Sequence, residues 1–297
     1  MPYCLHWAKQ EVMMESQGQA AEFREAQRQQ WRKGAEGWRK RSDFIDAGTA
    51  HVSKRMVELA GVGPGSRVLD VAAGYGEPSL TAAAVVGPEG KVVATDISAE
   101  MLDYGRERAA AAGAENVEFM VSEAAALDFP ADSFDAALSR FGIIFEPEGE
   151  ATAARVRGFL APGSKMAISS WGPPDRVPFI ALPMGTAMRA LGVDPPPPGT
   201  PGPLSRPTPD AIGGLLEAGG FADVEVEETE VAFEWESADE FVALIKDTVP
   251  PLVALIDGNA DEPDAVWGAI TEAVGAHASD DGTVRFSNQV LMAVGRA

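Results

Sequence analysis

Arg67-Val-Leu-Asp-Val-Ala-Ala-Gly74-Tyr-Gly76-Glu-Pro-Ser-Leu80 is the stretch that decides the fold of this 297-residue chain. A short apolar strand carrying Val68, Leu69 and Val71 runs into Gly74-Tyr75-Gly76, and an apolar helix is entered through Pro78. Glycine at 74 and 76 lets the backbone turn sharply and lets a ligand approach the main chain, which a Cβ would obstruct. Strand, glycine loop and helix in that order form the opening unit of a nucleotide-binding α/β sheet.

The charges beside the loop bear on which nucleotide it holds. A pyrophosphate rests on the free N–H groups and dipole of a helix N-terminus, yet Glu77 stands at that entrance and would repel it. Asp70, at the strand end, is placed to meet a cationic group directly or through water. S-adenosylmethionine carries an ammonium, a sulfonium and no phosphate. Glu77 has a second explanation, as a carboxylate complementing the helix dipole, so the neighbouring segments must decide.

A helix over Leu80–Val86 and the turn Gly87-Pro-Glu-Gly90 lead to a second buried strand, Lys91–Asp96. Asp96 lies 20 residues beyond Gly76, at a strand end, where a carboxylate can accept both ribose hydroxyls. Ile97 and Met101 follow, placed to cover an adenine face. The third strand, Val117–Val121, ends in Ser122-Glu123-Ala124, where an acidic side chain can accept the adenine amino group and the next backbone N–H can meet a ring nitrogen. Strands four and five are Phe134–Phe141 and Lys165–Trp171, the latter introduced by Leu160-Ala-Pro-Gly163.

On Val68–Gly76, Ala94-Thr-Asp-Ile-Ser98, Ser122–Ala124 with Leu127 and Phe129, Ser133-Phe-Asp135 and Leu160–Gly163, residues 67–171 resemble the class I S-adenosylmethionine-dependent methyltransferases. The resemblance is to the branch that includes small-molecule and quinone C-methyltransferases. It implies an α/β, doubly wound Rossmann-like fold: a seven-stranded sheet with its last strand antiparallel, helical lid insertions, and the cofactor over the carboxyl ends of the first strands. Carried over by position, it implies that Asp70, Gly74 and Gly76 line the methionine end, Asp96 the ribose, and Glu123 and Ala124 the adenine; Ala72, Ile97, Met101, Ser122 and Ser139 are the further candidates for the cofactor site. Ala72, Tyr75 and Glu123 depart from the family's usual Gly, small polar residue and Asp. The N-terminal Tyr-Asp-x-Met-Asn pattern of the quinone-methylating members is absent, which counts against a quinone acceptor.

Composition narrows the remaining classes. With 45% hydrophobic residues the chain can bury a full core. A single cysteine, Cys4, excludes an intramolecular disulfide and a cysteine-built metal site, and argues against the arsenic-methylating relatives. No metal is expected. No run of about 18 uncharged apolar residues marks a membrane span. Glu11, Glu15 and Glu22 do not fit a signal peptide, so cytoplasm is the expected location. A net charge of −21 disfavours nucleic acid as a partner; a small-molecule substrate and a monomer or homodimer are expected. Residues 1–55 nevertheless hold ten Lys/Arg against seven Asp/Glu. Their basic face (Arg24, Arg28, Arg32, Lys33, Arg39, Lys40, Arg41) either steers an anionic substrate or neutralises the acidic body.

The chain divides into an N-terminal helical arm (1–60, its last part a helix over Thr49–Ala60), a cofactor-binding core (61–171), a lid insertion (172–207) and a C-terminal part of the sheet (208–297). The lid insertion contains a helix near Phe179–Leu191 and a stiff run from Pro195 to Pro207. The C-terminal part holds a helix over Pro209–Ala218 and antiparallel strands over Val224–Trp235 and Thr283–Val294. Its helical insertion, 237–280, reads as two helices (Ala238–Val249 and Asp264–His277) broken at Pro250-Pro251 and around Gly258. Long connections of this kind usually serve function.

The expected chemistry is in-line methyl transfer to a small, partly apolar metabolite, with S-adenosylhomocysteine as product. His51 is the candidate base, with a packed or surface residue as the alternative. Arg140 is the candidate group for a substrate anion, or else pairs with Glu146 or Glu148. Trp31, Trp38, Phe145, Trp171 and Phe179 are candidate pocket walls, although aromatics in lid helices also pack a lid onto its body. Two other classes stand beside this one. A nicotinamide-dependent oxidoreductase is disfavoured by Glu77 and by Ser79 where a third Gly or Ala would be wanted. A non-catalytic cofactor-binding or scaffold protein of the same fold is the other.

Overall fold

The computed structural model describes residues 3–297, with side chains from residue 18 onward. Cys4, His6, Glu11 and Glu15 therefore lie outside the described side chains. In chain order the elements are α1 (Tyr3–Leu59), β1 (Arg67–Val71), α2 (Ser79–Val86), β2 (Lys91–Asp96), α3 (Ala99–Ala112), β3 (Val117–Val121), β4 (Phe134–Arg140), α4 (Gly149–Arg157) and β5 (Leu160–Trp171). Then follow α5 (Pro178–Leu191), α6 (Pro209–Ala218), β6 (Ala222–Trp235), α7 (Ala238–Thr248), α8 (Pro250–Asn259), α9 (Pro263–Gly275) and β7 (Val284–Arg296).

One seven-stranded sheet runs β3-β2-β1-β4-β5-β7-β6. The first five strands are mutually parallel, and β7 is antiparallel to both β5 and β6. The expected doubly wound sheet is thus present. β1, β2 and β4 are buried along almost their whole length, as strands covered by helices on both faces must be. β6 lies at an edge, and its Glu225, Glu227, Glu228, Glu230 and Glu234 discourage pairing with another strand. The strand order reverses between β1 and β4, and the carboxyl ends of those strands open a crevice there.

Local chemistry sets the helix ends around the crevice. Ser98, Thr208 and Ser237 cap α3, α6 and α7 by accepting backbone N–H groups of Met101, Ala211 and Glu240. Gly113 closes α3 with φ 65°, a left-handed geometry natural to glycine.

Two sequence expectations are corrected. The arm and the helix at Thr49 are one continuous 57-residue helix, α1. Its interior carries no proline, and Gly34, Gly37 and Gly48 serve close packing rather than interruption. A Cβ on Gly37 would stand 1.8 Å from the Asp247 carbonyl oxygen of α7, and one on Gly48 would stand 2.4 Å from Phe233 of β6. The insertion 237–280 holds three helices, because Pro250 and Pro251 occupy the first turn of α8. A missing N–H and a φ fixed near −65° cost nothing there.

Ion pairs fasten the arm to the body. Arg24 reaches Glu146 and Glu148, Arg28 reaches Glu123, Arg39 reaches Glu107, Lys40 and Arg41 share Asp247, and Arg55 reaches Glu227. Most of the arm's basic face therefore neutralises the acidic body. No helix among the described residues is long and apolar enough to cross a membrane.

Gly37→Ala tests how closely α1 seats on α7. The variant should lose about 1–3 kcal/mol, the usual cost of overpacking, and melt several degrees lower by differential scanning calorimetry. Gly18→Ala, whose Cβ would meet nothing within 4 Å, should not.

Candidate functional site

A cavity of about 470 Å³ lies over the carboxyl ends of β1, β2 and β4, with α1 as its roof. One end is built from the strand termini. There the Gly74 N–H donates to Asp96 Oδ2 at 2.9 Å and the Ser98 N–H donates to Asp96 Oδ1 at 2.8 Å. Burial pushes the Asp96 carboxyl up to about 6, with the backbone donors of Ser98, Gly74 and Ile97 opposing. Each carboxylate oxygen has accepted one bond and keeps a lone pair for a further donor. Gly74, with φ +55°, and Ala72, with φ 58°, bend the main chain against the cavity. Ile97, Met101, Ser122 and Ala124 continue this wall.

The other end is aromatic. Trp31 of α1 meets Phe145 edge-on at 5.4 Å, and Trp171 at the end of β5 stacks on Phe141 at 4.5 Å. Phe179 of α5 and Phe233 of β6 pack at 5.1 Å. Pro250, Pro251 and Leu252 of α8 close the far side.

Between the two ends, a polar network ties roof to floor. The Tyr75 hydroxyl donates to Asp46 Oδ1 at 2.9 Å, and Arg108 donates to Asp46 Oδ2. Arg140 Nη1 donates to Thr49 Oγ1 at 2.9 Å and Ser53 Oγ at 3.1 Å, and its Nη2 lies 3.8 Å from Asp46. Burial works against the Arg140 charge, but Tyr75, Glu77 and Asp46 outweigh it and hold its pKa above the ordinary arginine value. Burial likewise pushes the Tyr75 hydroxyl up. Trp38 stacks on Tyr75 at 5.8 Å, and Arg108 lies over the Tyr75 ring at 4.9 Å.

The cavity wall thus includes Ala72, Gly74, Asp96, Ile97, Met101, Ser122 and Ala124, and also Trp31, Trp38, Arg140, Phe145, Trp171 and Phe179. Five expected site residues are not on it. His51 is exposed, and its Nε2 lies 3.0 Å from the Glu230 carbonyl oxygen, so it cannot serve as a base in this cavity. Asp70 is buried beneath the glycine loop, where Oδ2 accepts from Ser79 Oγ at 2.5 Å and Oδ1 has no partner among the described residues. Gly76 turns away, with the place of its absent Cβ 3.5 Å from Gly105 of α3. Ser139 donates to the Val71 carbonyl and accepts the Ile143 N–H, joining β1 to the loop after β4. The Glu123 carboxylate is drawn outward to Arg28. Arg140 lies on the wall but does not pair with Glu146 or Glu148, which Arg24 holds instead.

Sequence reasoning missed Phe23, Gln27 and Gln30 on the roof, and Asp46; it named Arg24 only as part of a basic face and Glu146 only as a possible partner of Arg140. A signal for the roof existed. Phe23, Gln27, Gln30, Trp31, Trp38, Ile45 and Thr49 recur at helical spacing on one face of α1. Nothing local marks Asp46, whose partners lie 29 and 62 residues away.

A methyltransferase-domain family model matches residues 68–163. The core is a class I S-adenosylmethionine-dependent methyltransferase domain. The chain is 36% identical over 135 residues to the ubiquinone/menaquinone biosynthesis C-methyltransferase UbiE of Ectopseudomonas mendocina, covering 45% of this chain and 53% of that protein. It is 39% identical over 116 residues to an uncharacterized protein of Mycobacterium bovis, covering 39% and 41%. The chain therefore spans about half the length of the curated relatives it matches. In fold it resembles YcgJ of Bacillus subtilis, with TM-score 0.56 and 18% identity over 83% of this chain and 98% of that one. The [4+2]-cyclase SpnF shares the fold at TM-score 0.50 and 17% identity, over 82% and 80%. Fold alone therefore does not dictate the chemistry of this methyltransferase domain.

Asp70 provides a test of the buried charges. Burial pushes its carboxyl up to about 7, against opposing effects of Ser79 and Arg140. A folded pKa above the unfolded value near 3.8 gives stability that is full below pH 4 and lost as pH rises through 7. Asp70→Asn removes that loss. In urea titrations the variant should match the parent near pH 4 and exceed it at pH 8, by on the order of 4 kcal/mol; equal stability at both pH values would contradict the assignment.

Proposed function

We propose that this protein transfers a methyl group from S-adenosylmethionine to a small, partly apolar metabolite. The observation that carries the proposal is the continuity of one cavity, from the Asp96 carboxylate and the glycine loop to the aromatic walls. Asp96 keeps acceptor capacity on both oxygens for a ribose diol. Glu77 lies on the wall at the entrance to α2, which suits a ligand without phosphates and disfavours a nicotinamide dinucleotide.

When bound, the cofactor supplies a methyl group already activated by a sulfonium. The chain's task is then positioning and exclusion of water. In this proposal Gly74, Asp96, Ile97, Met101, Ser122 and Ala124 hold the cofactor, while Trp31, Phe145, Trp171 and Phe179 hold the acceptor. Arg140 and Tyr75 act through Asp46 to keep the roof seated over both. His51 has no part.

Calorimetric titration with S-adenosylmethionine, S-adenosylhomocysteine and NADH tests this. Micromolar binding of the two sulfur ligands and none of NADH is expected; binding of NADH alone would overturn the proposal. Binding of the sulfur ligands without turnover on any acceptor would favour the non-catalytic alternative. Asp96→Ala should weaken S-adenosylhomocysteine at least about tenfold, because a charge-assisted pair of hydrogen bonds is lost. The parent affinity should also fall as pH drops below about 6, where Asp96 takes up a proton and loses acceptor capacity.

A further inference from the structure

Three carboxylates and two cations line the cavity among the described residues, and their commitments differ. Asp96 faces the ribose end. Glu77 accepts the Thr81 hydroxyl at 2.8 Å, at the start of α2. Glu146 is the third, displayed by the short turn after β4 directly beside Phe145, among the aromatic walls. Its side chain is 9% exposed. Its Oε1 accepts Arg24 Nε at 2.6 Å, and its Oε2 accepts no hydrogen bond from the described residues. Burial pushes this carboxyl up, with Arg24 opposing, as a wall poor in water would.

Both cations are already compensated. Arg24 spans Glu146 and Glu148, and Arg140 faces Asp46. An anionic acceptor would therefore shed its hydration in an apolar chamber with no uncommitted positive charge among the described residues to meet it, beside carboxylates that repel it. A neutral ring can lie against Trp31, Phe145 and Trp171, and a donor on that ring would satisfy the remaining Glu146 oxygen.

We infer that the acceptor is a flat, apolar molecule without negative charge, and that its O–H or N–H donor is read by the Glu146 carboxylate. This rests on the methyl-transfer reading above, whose failure shows separately, as absence of S-adenosylhomocysteine binding. Glu146 is thus a specificity-determining residue, held in place by Arg24.

The test uses the full chain saturated with S-adenosylhomocysteine and three probes of one shape: 2-naphthol, 2-methoxynaphthalene and 2-naphthoate. Tryptophan fluorescence reads the titrations, since Trp31 and Trp171 line the chamber. 2-Naphthol is expected to bind about tenfold more tightly than its methyl ether, the usual worth of a hydrogen bond to a charged acceptor, and 2-naphthoate more weakly than both. Glu146→Leu should abolish the preference for naphthol over the ether while S-adenosylhomocysteine affinity stays intact. Should E146L lose that affinity, E146Q preserves volume and one acceptor oxygen and should shrink the preference about threefold, since a neutral acceptor is weaker. Naphthoate binding as tightly as naphthol, no preference for naphthol over the ether, a preference that survives both variants, or no binding of any probe would each overturn the inference.

Discussion

The Asp46 carboxylate is the constraint on which the site depends. It lies on the arm, yet it accepts the Tyr75 hydroxyl from the glycine loop and the Arg108 guanidinium from α3, and it faces Arg140 from β4. Four elements distant in sequence therefore share one small charge cluster. Buried charges tolerate rearrangement poorly, because an unpaired member keeps its desolvation cost without the compensating attraction. The cluster thus ties the roof to the strand ends. Tyr75, an unusual occupant of such a loop, provides the donor that makes this attachment direct.

Around that cluster, electrostatics and packing divide the work. The acidic body and the basic arm attract one another from Arg24 to Arg41 of α1, through pairs at Glu123, Glu146, Glu148, Glu107 and Asp247. Most of these pairs are partly exposed and individually weak, but together they set the register of a helix whose glycines demand close contact with α7 and β6. The apolar surface beneath is continuous. Val52 and Met56 of α1 join the same buried cluster as Phe233, Trp235, Phe241 and Leu252. The aromatic end of the cavity is roofed and walled by α1, α5 and α8, and its other end by the strand termini.

The floor was legible because it is local. Gly74 and Gly76 follow their strand directly, and Asp96 and Ser122–Ala124 stand at strand ends that the alternation of apolar and turn segments marks plainly. The count of seven strands and the antiparallel last strand came from the family resemblance, and the sheet has them. Trp31, Trp38, Phe145, Trp171 and Phe179, named from the sequence as candidate walls, all line the cavity. Legibility failed wherever a side chain had two directions open to it. Ser139 and Glu123 sit at the expected positions, yet one joins two backbone segments and the other turns to an arginine 95 residues away. His51 occupies the right helix on the wrong face.

The sequence by itself determined the sheet, the glycine turn and the carboxylate at the end of the second strand, since backbone sterics and apolar periodicity act between residues close in the chain. Only the tertiary structure decided that the arm is one unbroken helix, that Asp46 gathers Tyr75, Arg108 and Arg140, and that Glu146 rather than His51 faces the chamber. Those outcomes depend on which surfaces meet across long separations. Burial and pairing of charge are decided only when the whole chain has packed.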